Sequence, residues 1–285
     1  MYLLMCPRDT KGHEVSANYL MACNHSPTNK KEGAHALYHK MHAKTTMYSN
    51  ETITKYEQRI LEKIAMYREM NVKDIKLSIS QGNTKIGKCL NISIPALLYC
   101  HNCNECKKIC YEIKNLRFDS CLDARARNAA ILEMDRDEFF QRIHVTMSRR
   151  RKNKYIRFHV SGDIPDYDYF CRMIELVKAH PDFTAWTYTK HYGIVNRYVR
   201  EHGGNRETAI PANFSIMFSV WNAQDSNGNW FELPILNPYN FPTFVCIMHG
   251  MDWKENVWKC PGNCDICKQQ KRGCIVGENS QCGAH

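Results

Sequence analysis

From Tyr155 onward the chain alternates short apolar runs with amphipathic segments, and this alternation leaves few folds open. Ile156-Arg-Phe-His-Val160 reads as a strand ending in Ser161-Gly162-Asp163. Tyr169, Phe170, Met173, Ile174 and Val177 then mark one face of a helix. Phe183-Thr-Ala-Trp-Thr-Tyr188 is a second strand, ending in Thr189-Lys190, and residues 192–202 form a helix stopped by Gly203-Gly204. Phe214-Ser-Ile-Met-Phe-Ser-Val220 is a third strand, and Thr243-Phe-Val-Cys-Ile-Met248 a fourth, after a long loop rich in Asn and Pro. Strands separated by helices of this length imply βαβ units joined by right-handed crossovers. The expected fold is α/β with a parallel sheet, a partial or complete (β/α) barrel, carrying a cysteine-rich metal-binding C-terminal segment.

The chain before Tyr155 is less regular. Residues 1–50 read as an extension containing Cys6, Cys23 and the stretch Ala34-His35-Ala-Leu-Tyr-His39-Lys-Met-His42. In a helix, His35, His39 and His42 would share one face, a spacing suited to a metal or simply to a polar surface. Residues 52–70 form an amphipathic helix with Tyr56, Ile60, Ile64 and Tyr67 in one stripe. Ile75-Lys-Leu-Ser-Ile79 alternates as a short strand, and Ser80 to Gly87 reads as a polar turn. Two helices follow residue 118. One runs to about Glu133, and the other opens on Asp135-Arg-Asp-Glu138, the pattern of a capping box. Arg125 and Arg127 in the first are candidates for neutralising nearby thiolates, or are ordinary surface residues. The domain plan is an extension over 1–50, an α/β domain over 51–259, and a cysteine cluster over 260–285 packed on it.

Fifteen cysteines are the second constraint. Cys100, Cys103, Cys106 and Cys110 fall within eleven residues as C-x2-C-x2-C-x3-C. Cys260, Cys264, Cys267 and Cys274 form a second group, with Cys282 beyond it. Thiolates so close together in sequence suit ligation of one ion or cluster from a tight turn better than disulfide pairing. Soft sulfur ligands select zinc or iron–sulfur clusters. The first group matches a bacterial ferredoxin run, with Tyr111 in place of the usual proline. Cys260-x3-Cys264-x2-Cys267 resembles the spacing of radical S-adenosylmethionine (SAM) enzymes, where three cysteines leave one iron open for the cofactor; Cys274 supplies a fourth thiol that would close it. The crowding of the first group favours a 4Fe-4S cluster over zinc, with SAM as a candidate cofactor. Cys171 and Cys246 fall on apolar faces and read as core.

Parallel α/β sheets bind ligands at the carboxyl ends of their strands. Those ends present Ser161, Gly162 and Asp163, then Tyr188, Thr189 and Lys190, then Ser219 and Trp221, then His249. Asp163 and Lys190 are the candidates for orienting a cofactor or substrate; the alternative for Asp163 is capping the helix that follows. The formal net charge is +10, concentrated in Arg149-Arg-Arg-Lys-Asn-Lys154 and in Lys268-Gln-Gln-Lys271-Arg272, which makes nucleic acid a candidate partner. No apolar run approaches the roughly 20 residues of a membrane span, and a cytoplasmic location is expected.

Taken in order, Asn83-Thr-Lys-Ile-Gly87, Ile92-Ser-Ile-Pro95, Cys106-x3-Cys110-Tyr111, Ser161-Gly162-Asp163, Tyr188-Thr189-Lys190 and a terminal cluster opening Cys260-Pro261 resemble the gene product 88 family of phages and mobile elements. The resemblance covers about residues 80–274 and implies a host-cell cytoplasmic protein of a phage or mobile element. By analogy of pattern it also implies a radical SAM-like α/β body with cysteine clusters. Cys100 and Cys103 are additions to the family pattern, so Cys106 and Cys110 become the primary ligands. Two functions are expected. One is an iron–sulfur protein acting on an unknown small-molecule or macromolecular substrate. The other is a non-catalytic module stabilised by zinc or iron–sulfur that binds nucleic acid.

Overall fold

The computed structural model describes residues 47–83, 87–100, 104–220, 222–224, 226–227, 230–232, 234–247, 258–259 and 279–283. The chain enters on helix α1 (Asn50–Arg68), where the Ser49 side chain accepts from the backbone N–H of Thr52. Ile60 and Ile64 are buried as the stripe predicts, Tyr56 and Tyr67 are partly buried beside them, and Ile53 joins the buried face. A 3-10 turn (Val72–Asp74) follows, then an antiparallel hairpin of β1 (Ile79–Asn83) and β2 (Gly87–Ile92). The strand expected at Ile75–Ile79 is therefore displaced toward the carboxyl end. Gly82 and Gly87 both have positive φ, which let the polar stretch read as a turn pair into a hairpin.

Five short or medium helices lead from β2 to the next strand. They are α2 (Ala96–Tyr99), α3 (Asn104–Lys108), α4 (Glu112–Leu116), α5 (Asp119–Met134) and α6 (Arg136–Ser148). Asp135 caps α6 by accepting from Glu138 N at 2.8 Å, while the Glu138 carboxylate turns to Arg142 instead of closing the capping box. The regular alternation follows: β3 (Tyr155–Phe158), α7 (Tyr167–Lys178), β4 (Thr184–Thr189), α8 (Tyr192–Glu201), α9 (Arg206–Ala209) and β5 (Phe214–Val220). A two-stranded hairpin, β6 (Asn222–Gln224) with β7 (Trp230–Glu232), precedes β8 (Thr243–Ile247), β9 (Trp258–Lys259) and β10 (Asn279–Gly283).

The main sheet has the order β1-β2-β3-β4-β5-β8-β10-β9 among the described residues. Every pairing in it is parallel except β1 with β2. Strands β2 to β5 lie side by side in chain order, so right-handed crossovers place the intervening helices on one face. There Leu90, Ile92, Ile156, Phe158, Ala185, Ile216 and Phe218 pack with Phe139, Ile143, Phe170, Met173, Val177, Val195 and Val199. The alternation of side chains sends Cys89, Asn91, Tyr155, Arg157, Trp186 and Tyr188 to the other face. Cys89 and Trp186 form a separate small apolar cluster there, flanked by Tyr155 and Tyr188.

The expected parallel α/β sheet is thus present. Its two ends, β1 and β9, are not neighbours in the strand order, so the described residues form an open sheet. The C-terminal group Cys260, Cys264, Cys267 and Cys274 lies outside the described residues, as do Cys103, the histidines His35, His39 and His42, and the basic stretch 268–272.

Candidate functional site at the carboxyl rim

The rim is built around the turn after β3. Gly162 has φ +83°, and a Cβ there would sit 2.6 Å from Ile94 Cγ1 and 2.7 Å from the Ile94 carbonyl oxygen. Only glycine permits this approach. Ser161 completes the contact, donating from Oγ to Ile94 O at 3.1 Å while its own carbonyl accepts from Ile94 N at 3.1 Å. The turn is thereby stapled to the segment after β2.

Asp163 is 6% exposed, and its carboxylate has three donors. Oδ1 accepts from Ile164 N at 2.7 Å and from Thr189 Oγ1 at 2.6 Å, and Oδ2 accepts from Lys190 N at 2.8 Å. Asp163 therefore ties the end of β3 to the end of β4. It does not cap α7; Asp166 does, accepting from Tyr169 N at 2.9 Å. Burial works against the Lys190 ammonium, but Cys106, Asp163 and Cys100 outweigh it and raise its pKa above the ordinary lysine value. The amine is positively charged at all physiological pH values.

The cysteine run lies within electrostatic reach of the same amine. The Cys100 backbone N–H closes α2 on Ala96 O at 3.1 Å. Helix α3 presents Cys106, and the turn after it presents Cys110, whose N–H reaches Lys107 O at 3.3 Å. Lys107 pairs with Glu57 at 2.7 Å, and Tyr48 N donates to Lys108 O at 2.6 Å, so α3 is fixed to the start of α1. Burial pushes the Cys110 thiol up to about 12, and Cys106 adds to that; a hydrogen bond from the Glu112 backbone and the Lys190 charge pull the other way. Cys100, Cys106 and Cys110 are thus gathered near Lys190. Among the described residues, no three His, Cys, Asp or Glu side chains stand close enough to hold a metal ion by themselves.

Two features beneath the run were not visible in the sequence. Glu112 is 1% exposed, and Arg125 donates to it at 2.8 Å while Asn115 supplies a second donor at 2.9 Å. Arg125 therefore pairs with the carboxylate two residues after Cys110. Arg127 stays close to its own helix, 3.6 Å from Asp123. Tyr111 sends its hydroxyl back across the rim to Val160 O. The other predicted rim residues divide. Tyr188 packs against Phe244, with ring centroids 4.9 Å apart and the rings tilted by 60°, and Ser219 O accepts from Tyr192. Trp221 and His249 lie outside the described residues. Of the remaining cysteines, Cys171 is half-buried against the core, as expected, and Cys89 is fully buried beside Asn91 on the other face.

His159, just before the Ser161 turn, is a second unforeseen feature. It has φ +55°, is 4% exposed, and hydrogen-bonds with Thr187 Oγ1 at 3.1 Å and Tyr169 Oη at 3.2 Å. Burial lowers its pKa to about 4, with His191 adding to the effect and Asp163 opposing it. The imidazole is neutral in the fold, but in the unfolded chain it takes up a proton near pH 6.5. Stability is therefore fully present above pH 6.5 and falls as pH drops toward 4, by up to roughly 3 kcal/mol from this residue. Urea unfolding between pH 7.5 and 4.5 checks this. The His159→Asn variant, whose side chain tolerates a positive φ, should show a flatter pH dependence than wild type. Parallel curves would contradict it.

The exposed cations Arg149, Arg151 and Lys152 occupy the end of α6 and the turn entering β3. That is the amino end of the strand, opposite the rim. Lys154 pairs with Asp182, and Arg150 donates to Gln81 at 2.6 Å. No helix among the described residues is long and apolar enough to cross a membrane.

Comparison with curated proteins and with solved structures gives no match. The family model of gene product 88 matches residues 68–233, more than half of the chain. That span holds the β1–β2 hairpin, the run from Cys100 to Cys110, the Ser161-Gly162-Asp163 turn and Thr189-Lys190. The chain belongs to the gene product 88 family.

Proposed function

We propose that this gene product 88 protein is a metalloprotein whose centre is held by cysteines at the carboxyl rim of the sheet, and that the centre is an iron–sulfur cluster. The observation that carries the reading is that Cys100, Cys106 and Cys110 lie within electrostatic reach of Lys190, at the end of a parallel sheet where ligands bind. The donor set is soft sulfur, which suits iron–sulfur or zinc. The described residues do not complete a ligand set, so the reading requires a further thiol from Cys103 or from Cys260, Cys264, Cys267 and Cys274. A bound cluster would supply electron transfer or, with one iron open, a site for SAM. Lys190 would balance thiolate charge at the rim, and Asp163 would hold Lys190 in position through its backbone.

Anaerobic purification followed by iron, sulfide and zinc analysis with a visible spectrum tests the reading. Iron and sulfide in comparable amounts, with a broad visible absorption, are the expected result. Stoichiometric zinc without sulfide would replace the cluster with a structural ion, and absence of any metal would overturn the reading. Reductive cleavage of added SAM by the loaded protein is the separate test of the radical SAM-like reading.

A second reading rests on a different observation. Arg149, Arg151 and Lys152 are exposed together at the amino end of the sheet and suit contact with a polyanion such as nucleic acid. Cations at the end of α6 also complement the helix dipole. Nucleic-acid affinity that falls steeply with salt, and falls further when these three residues become alanine, is the result this reading requires.

A further inference from the structure

His144 on α6 and His180 in the turn before β4 meet at the amino end of the sheet, opposite the cysteine rim. His144 Nδ1 and His180 Nε2 lie 3.0 Å apart, with ring centroids separated by 4.7 Å and the rings tilted by 51°. His180 is 6% exposed and firmly held. Its N–H donates to Val177 O at 3.1 Å, and its carbonyl accepts from Phe183 N at 3.0 Å and from Asn213 Nδ2 at 3.1 Å. The Phe183 ring packs edge-on against its imidazole. Burial and the neighbouring His144 lower the His180 pKa; Lys154 adds to this and Asp182, the carboxylate paired with Lys154, opposes it. The His180 imidazole is therefore neutral at neutral pH, the form that ligates metals.

His144 also lines a groove of about 550 Å³ between α6 and α7. Asp135, Asp137, Glu138 and Glu175 line the same groove against one cation, Arg172, a balance that favours a cationic ligand over an anionic one. Neutral imidazole suits borderline divalent metals. Metal–nitrogen bonds of about 2.0–2.1 Å place two neighbouring ligand atoms about 2.9 Å apart at a right angle and about 3.3 Å apart at the tetrahedral angle. The 3.0 Å separation of this pair falls between those values. We propose that His144 Nδ1 and His180 Nε2 together bind a divalent transition-metal ion such as zinc, with water from the groove in the remaining positions. In the neutral pair one ring donates and the other accepts. When the ion binds, the donor ring changes to the tautomer protonated on its other nitrogen, so both facing lone pairs go to the metal and no net proton is released. None of the cysteines takes part, so this site and the cluster can fail independently.

The test dialyses the full chain, purified anaerobically, against cobalt(II) chloride at neutral pH and compares wild type with His144→Asn and His180→Asn. The asparagine amide can still hydrogen-bond the remaining ring, but it is a poor ligand for such an ion. Wild type should take up one more cobalt per chain than either variant. The difference spectrum between wild type and variant should show only weak visible bands, without the intense thiolate-to-cobalt charge-transfer band that cysteine ligation gives. Equal uptake by wild type and either folded variant would overturn the proposal, as would a difference spectrum dominated by the thiolate band. Failure of both variants to fold would make the pair a structural contact and overturn it too.

Discussion

Asp163→Ala should lower the stability of the fold by about 3–5 kcal/mol, the range for removing one member of a buried charged network. Three donors converge on this carboxylate, and the alanine variant leaves Thr189 Oγ1 and Lys190 N without their acceptor in a buried place. It also removes the carboxylate nearest the Lys190 charge. Asp163→Asn separates the two effects. One amide oxygen can still accept at the Oδ1 position, but the amide nitrogen then faces the Lys190 N–H as donor against donor. The asparagine variant should therefore fall between wild type and alanine. Urea unfolding measures all three. A loss below about 1 kcal/mol for alanine would show that the β3 and β4 ends are held by something other than this carboxylate.

Gly162→Ala should be nearly as damaging, at roughly 3–5 kcal/mol, because overpacking adds to the strain of a positive φ. The added methyl meets the Ile94 carbonyl oxygen at 2.7 Å, and backbone cannot move aside as a flexible side chain would. The turn would have to detach from the segment after β2, which leads directly into α2 and Cys100. Ile94→Ala should not rescue the variant, since it relieves only the 2.6 Å contact with Cγ1 and leaves the oxygen in place. Recovery of wild-type stability in the double variant would contradict the backbone clash. Differential unfolding of the four combinations reads it directly.

The order of β3, α7, β4, α8 and β5 was legible because each segment keeps one periodicity, near two residues in strands and near 3.6 in helices. The β1–β2 hairpin was not, since Ile79-Ser-Gln-Gly-Asn83 is polar and derives its strand geometry from pairing with β2. Strand β10, Asn279-Ser-Gln-Cys-Gly283, is equally devoid of an apolar pattern and lies between β8 and β9. At the rim, the strand-end rule pointed to Asp163 and Lys190, while their relation stayed hidden: the bond from Thr189 to Asp163 spans 26 residues and that from Ser161 to Ile94 spans 67. Glu112 drew no reading from the sequence, because its partner Arg125 is 13 positions away, too far for a helical pair.

The account turns on the cysteine run as a metal ligand set led by Cys106 and Cys110. Metal per chain should be measured on anaerobically purified wild type, on a Cys106→Ala/Cys110→Ala variant, and on Cys171→Ala, which alters a thiol of α7 beside Tyr167. The account predicts iron and sulfide in wild type and in Cys171→Ala, and background levels in the double variant with the protein still folded. Metal retained in full by the folded double variant would contradict it.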